Sequence, residues 1–403
     1  MAEVPIPGVL PADIATGRRP RNRRETILKV SASLFAERGF SGTRMDDIAA
    51  GSGVTVRALY RHFDNKLAIL VELVESSQDR FLEAVAAATQ DPSDPPRRFI
   101  QAVRGLAVAS EESSHFAVLW QRESRHLEPE AYSRLRLRLN SMVRSISDLI
   151  EQAEPGLSAF QRELRAWATI SVMVAPRSDN EGDTAIAAAE ALIRTGTPAR
   201  LEVRAIDTKA VATDEDTSRR ERLLASAALA FSRTGFLAAG IDEIGRTAGV
   251  SGPSLYRHFG SKNELLDALA RRRESWLWYE ADTRRATDQD PTTRLRATTE
   301  AFVVASLRAP ELVAIWVTEN PHVSPPVRQK VATSIAAFHS TWSTALQRVR
   351  PDLAPATCNR LIALAVETVE DLVRTRHLHR EPTLAGDLTG MVESLLLQPG
   401  IVT

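Results

Sequence analysis

The side chains of this chain best placed for recognition chemistry stand in one short run, GVTVRALYRHFDNK at 53–66. If the run is helical, Val56, Leu59 and Phe63 share a face at spacings of three and four and turn toward a core. Arg57, Tyr60, Arg61 and His62 are left on the other faces, with Lys66 just beyond. A DNA major groove admits one such helix. There arginine can grip guanine with two hydrogen bonds, while tyrosine and histidine commonly reach phosphates. An ordinary helix with a charged surface would carry the same residues, but it gives no reason for the run to return as GVSGPSLYRHFGSK at 249–262.

The repeat extends well beyond that run. At an offset of 196, Arg23–Leu70 aligns with Arg219–Leu266 without a gap, and 19 of the 48 positions are identical. The same offset pairs Trp120 with Trp316, Glu123 with Glu319, His126 with His322 and Pro155 with Pro351, so a whole domain is duplicated. A length of 403 residues suits two domains of about 200 residues each. Apolar and charged contents of 43% and 25% are those of a globular protein, and the dominance of alanine and aliphatic residues favours an all-α fold. The single cysteine, Cys358, excludes an intramolecular disulfide. No apolar run reaches the roughly 18 residues of a membrane span, so the expected setting is cytoplasmic, with no membrane partner. Net charge is zero, with 51 basic and 51 acidic residues, so any case for nucleic-acid binding rests on local clustering.

In chain order, residues 1–22 read as a disordered arm whose basic end holds Arg18, Arg19 and Arg21, continuing into Arg23 and Arg24. Such an arm can follow phosphates or enter the minor groove. Ile27, Leu28, Ser31, Leu34 and Phe35 form one helical stripe, and Gly39 ends that helix by adopting positive φ. Thr43 with Asp46 reads as a capping box. Thr55 caps a helix from Val56 to Phe63, and Asn65 caps a longer one to about Ala88. The second copy repeats this order with Ser251 and Ser261 as caps, Ser261 forming a box with Glu264. It replaces Thr43 and Arg44 by Ala239 and Gly240, removing polar donors. Between the copies, residues 195–218 read as a polar linker ending in Asp214, Glu215 and Asp216, where the first copy has its basic arm.

Gly39-Phe40, Asp46, Ile48, Gly53-Val54, Leu59–Phe63 and Lys66, matched by Gly235-Phe236, Asp242, Ile244, Gly249-Val250, Leu255–Phe259 and Lys262, resemble the tetracycline-repressor (TetR) family of transcriptional regulators. The resemblance implies two tandem TetR-like domains. Each would join a helix-turn-helix module (23–70 and 219–266) to a helical regulatory region (71–194 and 267–403). It implies double-stranded DNA as partner. Base contacts would fall to Thr55, Val56, Arg57 and Tyr60, and to Ser251, Gly252, Ser254 and Tyr256. Phosphate contact or support of the reading helix would fall to Tyr60, His62 and Lys66, and to Tyr256, His258 and Lys262. Arg21, Arg23, Thr43, Arg44, Arg61 and Arg257 complete the expected DNA-facing set. Family members commonly dimerise through their last two helices, so residues about 161–194 are expected to pack on about 356–397. The product is an intramolecular pseudo-dimer with heads roughly 34–36 Å apart. Because Arg57 corresponds to Pro253, and Val56 to Gly252, its operator should be asymmetric. Two chains pairing like halves are the rival arrangement, and a further homodimer is compatible with either.

The family also answers to small molecules held among the middle helices, for which Trp120, Arg122, Glu123 and His126, with Trp316, Glu319 and His322, are the candidates here. Glu123 and His126 lie three apart on one helix face, so an ion pair tying the helix to its neighbours and a ligand pocket are both open. Glu-x-x-His without further ligands does not make a metal site. No Walker loop, dinucleotide fingerprint or nucleophile elbow is present, so neither an enzyme nor a bound cofactor is expected. The alternative function is a ligand-sensing or adaptor protein in which only the first helix-turn-helix meets DNA.

Overall fold

A computed structural model describes residues 23–176, 182–194, 205–250, 255–285 and 290–397, with Leu201 and Val203. The described residues are helical with no strand, as expected. No single helix among them is long and apolar enough to cross a membrane.

The first compact unit ends at Leu73. It holds α1 (Arg23–Gly42), α2 (Met45–Gly51), α3 (Val56–Leu59) and the start of α4 (Lys66–Gln90). Ile27, Phe35, Ile48, Leu59, Ile69 and Leu70 are fully buried and form its core. Two glycines fix its corners. Gly39 (φ 76°) breaks α1 internally, and Gly53 (φ 64°) makes the turn between α2 and α3, conformations that a side chain strains. Asn65 caps α4 by accepting from the Ala68 N–H (2.8 Å). The α3 helix is shorter than the pattern to Phe63 suggests. After Leu59 the chain tightens, with the Arg61 and His62 N–H groups donating to the Ala58 and Leu59 carbonyls.

The second unit, Val74–Thr403, contains the rest of α4 and both regulatory regions, with the second helix-turn-helix between them. From the first copy come α5 (Pro95–Glu112), α6 (Phe116–Val118), an irregular helical run to His126, α7 (Pro129–Ala153), α8 (Ala159–Val174) and α9 (Gly182–Leu192). The second copy supplies α11 (Arg219–Thr234), α12 (Ile241–Thr247), α13 (Lys262–Thr283), α14 (Pro291–Arg308), α15 (Pro310–Glu319), α16 (Pro325–Val349), α17 (Pro355–Arg374) and α18 (Leu384–Leu397). Prolines mark several helix beginnings. Pro95, Pro129, Pro291, Pro310, Pro325 and Pro355 each stand in the first turn, where their fixed φ suits the helix and their missing N–H is not needed.

The expected linker carries structure of its own. Asp207 caps α10 (Thr208–Thr213), which packs on α11, and the Ile206 N–H donates to the Arg308 carbonyl (2.9 Å). Residues of α8 and α9 pack against α17 and α18 within the one chain. Polar ties cross this four-helix seam: Gln161 donates to Asp387 (2.7 Å), Ser171 to Asp371 (2.7 Å) and Arg360 to the Pro176 carbonyl (2.7 Å). α18 is buried along nearly its whole length, which accounts for its apolar sequence.

Candidate nucleic-acid interface and effector cavity

The two helix-turn-helix modules repeat one another in detail. Ile48 and Ile244 are fully buried, as are Leu59 and Leu255, while Tyr60 and Tyr256 stand 50% and 54% exposed. Gly53 and Gly249 share a φ of about 65°. In each copy an arginine at the start of the first helix pins the far end of the reading segment. Arg24 donates to the His62 carbonyl (2.7 Å) and lies 4.3 Å from the Phe63 ring centroid; Arg220 donates to the His258 carbonyl (3.1 Å) and lies 4.2 Å from that of Phe259. Arg24 also pairs with Glu72, whose hydrogen bond raises the guanidinium pKa further. Sequence reasoning placed Arg24 in a free basic arm. The signal that could have separated it was its identity with Arg220.

Around the reading segment, Thr55 accepts from the Ala58 N–H (3.2 Å) and so caps α3 as expected. Arg57, Tyr60 and Arg61 are exposed, Val56 and His62 half-buried, and Arg23 and Arg44 exposed. Tyr256 and Arg257 are exposed in the second copy and His258 is half-buried. Arg21, Ser251, Gly252 and Ser254 lie outside the described residues, as do Arg18, Arg19 and the remainder of the arm.

Thr43 departs from expectation. It is 1% exposed, and its hydroxyl donates to the Gly39 (2.8 Å) and Leu34 (3.2 Å) carbonyls. The box at α2 is made one residue later, where the Arg44 N–H donates to Asp47 (2.8 Å). Thr43 therefore seals the α1 break and is turned away from solvent. Its counterpart Ala239 is equally buried, so that replacement alters a core position and removes no exposed donor. Lys66 likewise serves the fold. Its ammonium donates to the Phe40 and Thr43 (2.8 Å) carbonyls over the Phe40 ring. Lys262 donates to the Leu237 carbonyl (3.3 Å), and burial lowers its pKa. In the Ser261 cap, Ser261 accepts from the Glu264 N–H (3.1 Å), but Glu264 reaches back to the Gly260 N–H instead of closing on Ser261.

The residues singled out for effector binding do not converge on one pocket. Glu123 is buried and pairs with Arg122 and with His126 (3.6 Å). Fully buried Glu319 pairs with Arg125 of the first copy and accepts from the Phe236 N–H (3.0 Å), so it fastens the second module to the regulatory body. His322 stacks on Phe236 at 5.4 Å, and Trp316 lies 5.6 Å from the Arg273 guanidinium. Of these residues Glu123 and Glu319 stand in ion pairs. Only Trp120 among them lines the large solvent-open cavity of the unit, about 1030 Å³ among α7, α8, α15, the α17 end and the segment before α10. That cavity was invisible in sequence because its walls come from both copies and from the connecting segment.

Comparison with known proteins bears on the modules. The family described as bacterial regulatory proteins, tetR family, matches residues 27–73 and 223–269. The chain is 27% identical over 158 residues to the HTH-type transcriptional activator FasR of Mycolicibacterium smegmatis, covering 39% of this chain and 72% of FasR. It is 33% identical over 122 residues to the HTH-type transcriptional repressor KstR2 of Rhodococcus jostii, covering 29% of this chain and 56% of KstR2. The chain thus spans little more than half the length of KstR2. Among solved structures it is similar to a TetR-family transcriptional regulator from Bordetella parapertussis (19% identity, 44% of this chain and 93% of that one, TM-score 0.40). It is also similar to AibR in complex with isovaleryl coenzyme A and operator DNA (24% identity, 38% and 84%, TM-score 0.33).

Proposed function

We propose that this chain, whose residues 27–73 and 223–269 match the tetR family of bacterial regulatory proteins, is a ligand-responsive transcriptional regulator with two tandem TetR-like domains that binds one asymmetric operator as an intramolecular pseudo-dimer. The observation that carries the reading is the duplicated geometry of the modules: the same buried core, the same positive-φ turn and the same exposed tyrosine in each. Packing of α8 and α9 on α17 and α18 supports pairing of the two copies inside one chain, in place of pairing between chains. Arg57 supplies a guanidinium where the second copy has Pro253, so the half-sites should differ at the base that Arg57 reads.

Phosphate contact would come from Arg61, Tyr60 and the exposed Arg44, and on the other half-site from Tyr256 and Arg257. Such contacts set register and carry no sequence information. Effector binding would act by favouring one of two arrangements of the modules, lowering DNA affinity only as far as it discriminates between them. Relatives include an activator and repressors, and the sign of regulation follows from operator position.

The test is selection of bound duplexes from random DNA, followed by titration of the chosen operator with the parent, Arg57→Ala and Tyr256→Ala. An asymmetric consensus is expected, with Arg57→Ala weakening binding by roughly 1–3 kcal/mol and relaxing one half-site only. A perfect palindrome would refute the pseudo-dimer reading. Loss with Arg57→Ala but none with Tyr256→Ala would favour the one-headed adaptor.

A further inference from the structure

The seam cavity joins chemistry that no helix-level pattern announced. Trp120 and Tyr132 stack with planes 1° apart, and Trp167 faces the cavity with Arg136 5.4 Å from its ring. Trp167 is 9% exposed, and its indole N–H has no acceptor among the described residues. Arg136, Lys209, Arg233, Arg376 and Arg380 line the same space and form no salt bridge among the described residues. The acids of the wall are already engaged. Asp371 receives Gln121, Ser171 and Arg374, Asp207 caps α10, and Glu311 accepts from Thr208. Six basic side chains, the five above and Arg374, line the wall against the three acids, a net positive charge on a concave wall beside aromatic surface, which concentrates anions.

Two further observations narrow the occupant. The space beside Arg273, within the second copy's own helices, is only about 10 Å³, room for about one water. The cavity of about 1030 Å³ accepts a body and a headgroup together. At the repeat offset, Tyr132, Arg136 and Trp167 correspond to Arg328, Ala332 and Ala363, so the opposite side of the pseudo-twofold lacks this wall.

We propose that the seam cavity binds a single anionic amphiphile per chain, its flat apolar body against Trp120, Tyr132 and Trp167 and its acidic head among Arg136, Arg376 and Arg380. Ile206–Lys209 joins the wall and leads into α10 and α11, so occupancy bears on the start of the second module. This names the effector class of the regulator proposed above, and rests on that reading only for its effect on DNA.

Binding is therefore measured without DNA, using full-length protein and 8-anilinonaphthalene-1-sulfonate as the probe. Its neutral analogue, N-phenyl-1-naphthylamine, has the same body without the acid. The expected result is one sulfonate site per chain and binding of the neutral analogue weaker by about tenfold, the scale of one charge-assisted contact. Arg136→Ala with Arg380→Ala should remove that preference, whereas Arg134→Ala, whose side chain pairs with Glu75 instead, should leave it intact. Trp167→Phe should weaken both probes. Equal binding of the two probes, two equivalent sites, or a preference that survives loss of Arg136 and Arg380 would each overturn the proposal. Competition for operator DNA is scored separately, so a failed DNA reading would leave a positive binding result standing.

Discussion

Glu367 on α17, one of the seam helices, offers a test of burial there that needs neither DNA nor ligand. Burial, reinforced by Asp371 and Glu370 and opposed by Arg374 and Arg360, pushes its carboxyl from 4.5 up to about 7. A raised acid means that the folded state keeps a proton the unfolded chain has lost. Stability contributed by that group is therefore full below pH 4.5, falls as pH rises through the window from 4.5 to about 7, and stays low above it. At 1.36 kcal/mol per tenfold change in proton affinity, the folded state forfeits about 3 kcal/mol at pH 8 relative to pH 4. Glu367→Gln keeps the shape and removes the ionisation. Urea unfolding followed by circular dichroism from pH 4 to pH 8 should show parent and variant equal at the acid end. The variant should gain toward about 3 kcal/mol at the alkaline end, and subtraction cancels the carboxylates the two proteins share. A difference that is flat across this range, or that shrinks as pH rises, would refute the placement of Glu367 in a desolvated acidic cluster.

Other outcomes follow from the same contacts. Arg125→Ala strands the fully buried Glu319 carboxylate and should cost about 3–5 kcal/mol of stability; adding Glu319→Gln should recover much of it, and chemical denaturation of the two variants checks both parts. Gly53→Ala meets no atom within 4 Å, so only its φ of 64° is penalised, by about 1 kcal/mol; Gly235→Ala should cost more, because its Cβ would displace the Arg125 guanidinium that pairs with buried Glu319, and thermal melts rank the two. Burial, with Arg273 nearby, pulls the His339 pKa from 6.5 down to about 4. The unfolded chain then takes up a proton that the folded chain refuses, so stability is lost as pH falls from 6.5 toward 4, and His339→Leu should remove that part of the acid sensitivity in the same unfolding series.

Much of the fold was readable because local rules and burial agree. Gly39 and Gly53 stand where positive φ is needed, and of the three residues expected on the buried face of the reading segment, Leu59 and Phe63 are buried while Val56 is half-buried. The duplicated run located both modules, since a repeat at fixed offset needs no tertiary information. Thr43 shows where local reading stops. A hydroxyl three residues before an acid has the pattern of a cap, yet two carbonyls left open at the break in α1 capture it first. Lys66 is similar, since its carbonyl acceptors lie 23 and 26 residues away in sequence. The seam cavity is the extreme case. Trp167 on α8 and Arg376 after α17 are brought to one wall only by packing of one copy on the other.

Under the pseudo-dimer proposal above, the seam also changes how DNA occupancy would depend on the abundance of the chain. Two separate subunits pair by mass action, so dilution empties the dimer and an operator then meets single heads. Here α8 and α9 and their partners α17 and α18 belong to one polypeptide, and their encounter is set by an effective local concentration that does not fall when the cell holds few copies. Occupancy of the operator should then rise in simple proportion to the number of chains at low abundance, without the threshold that an obligate two-chain regulator shows.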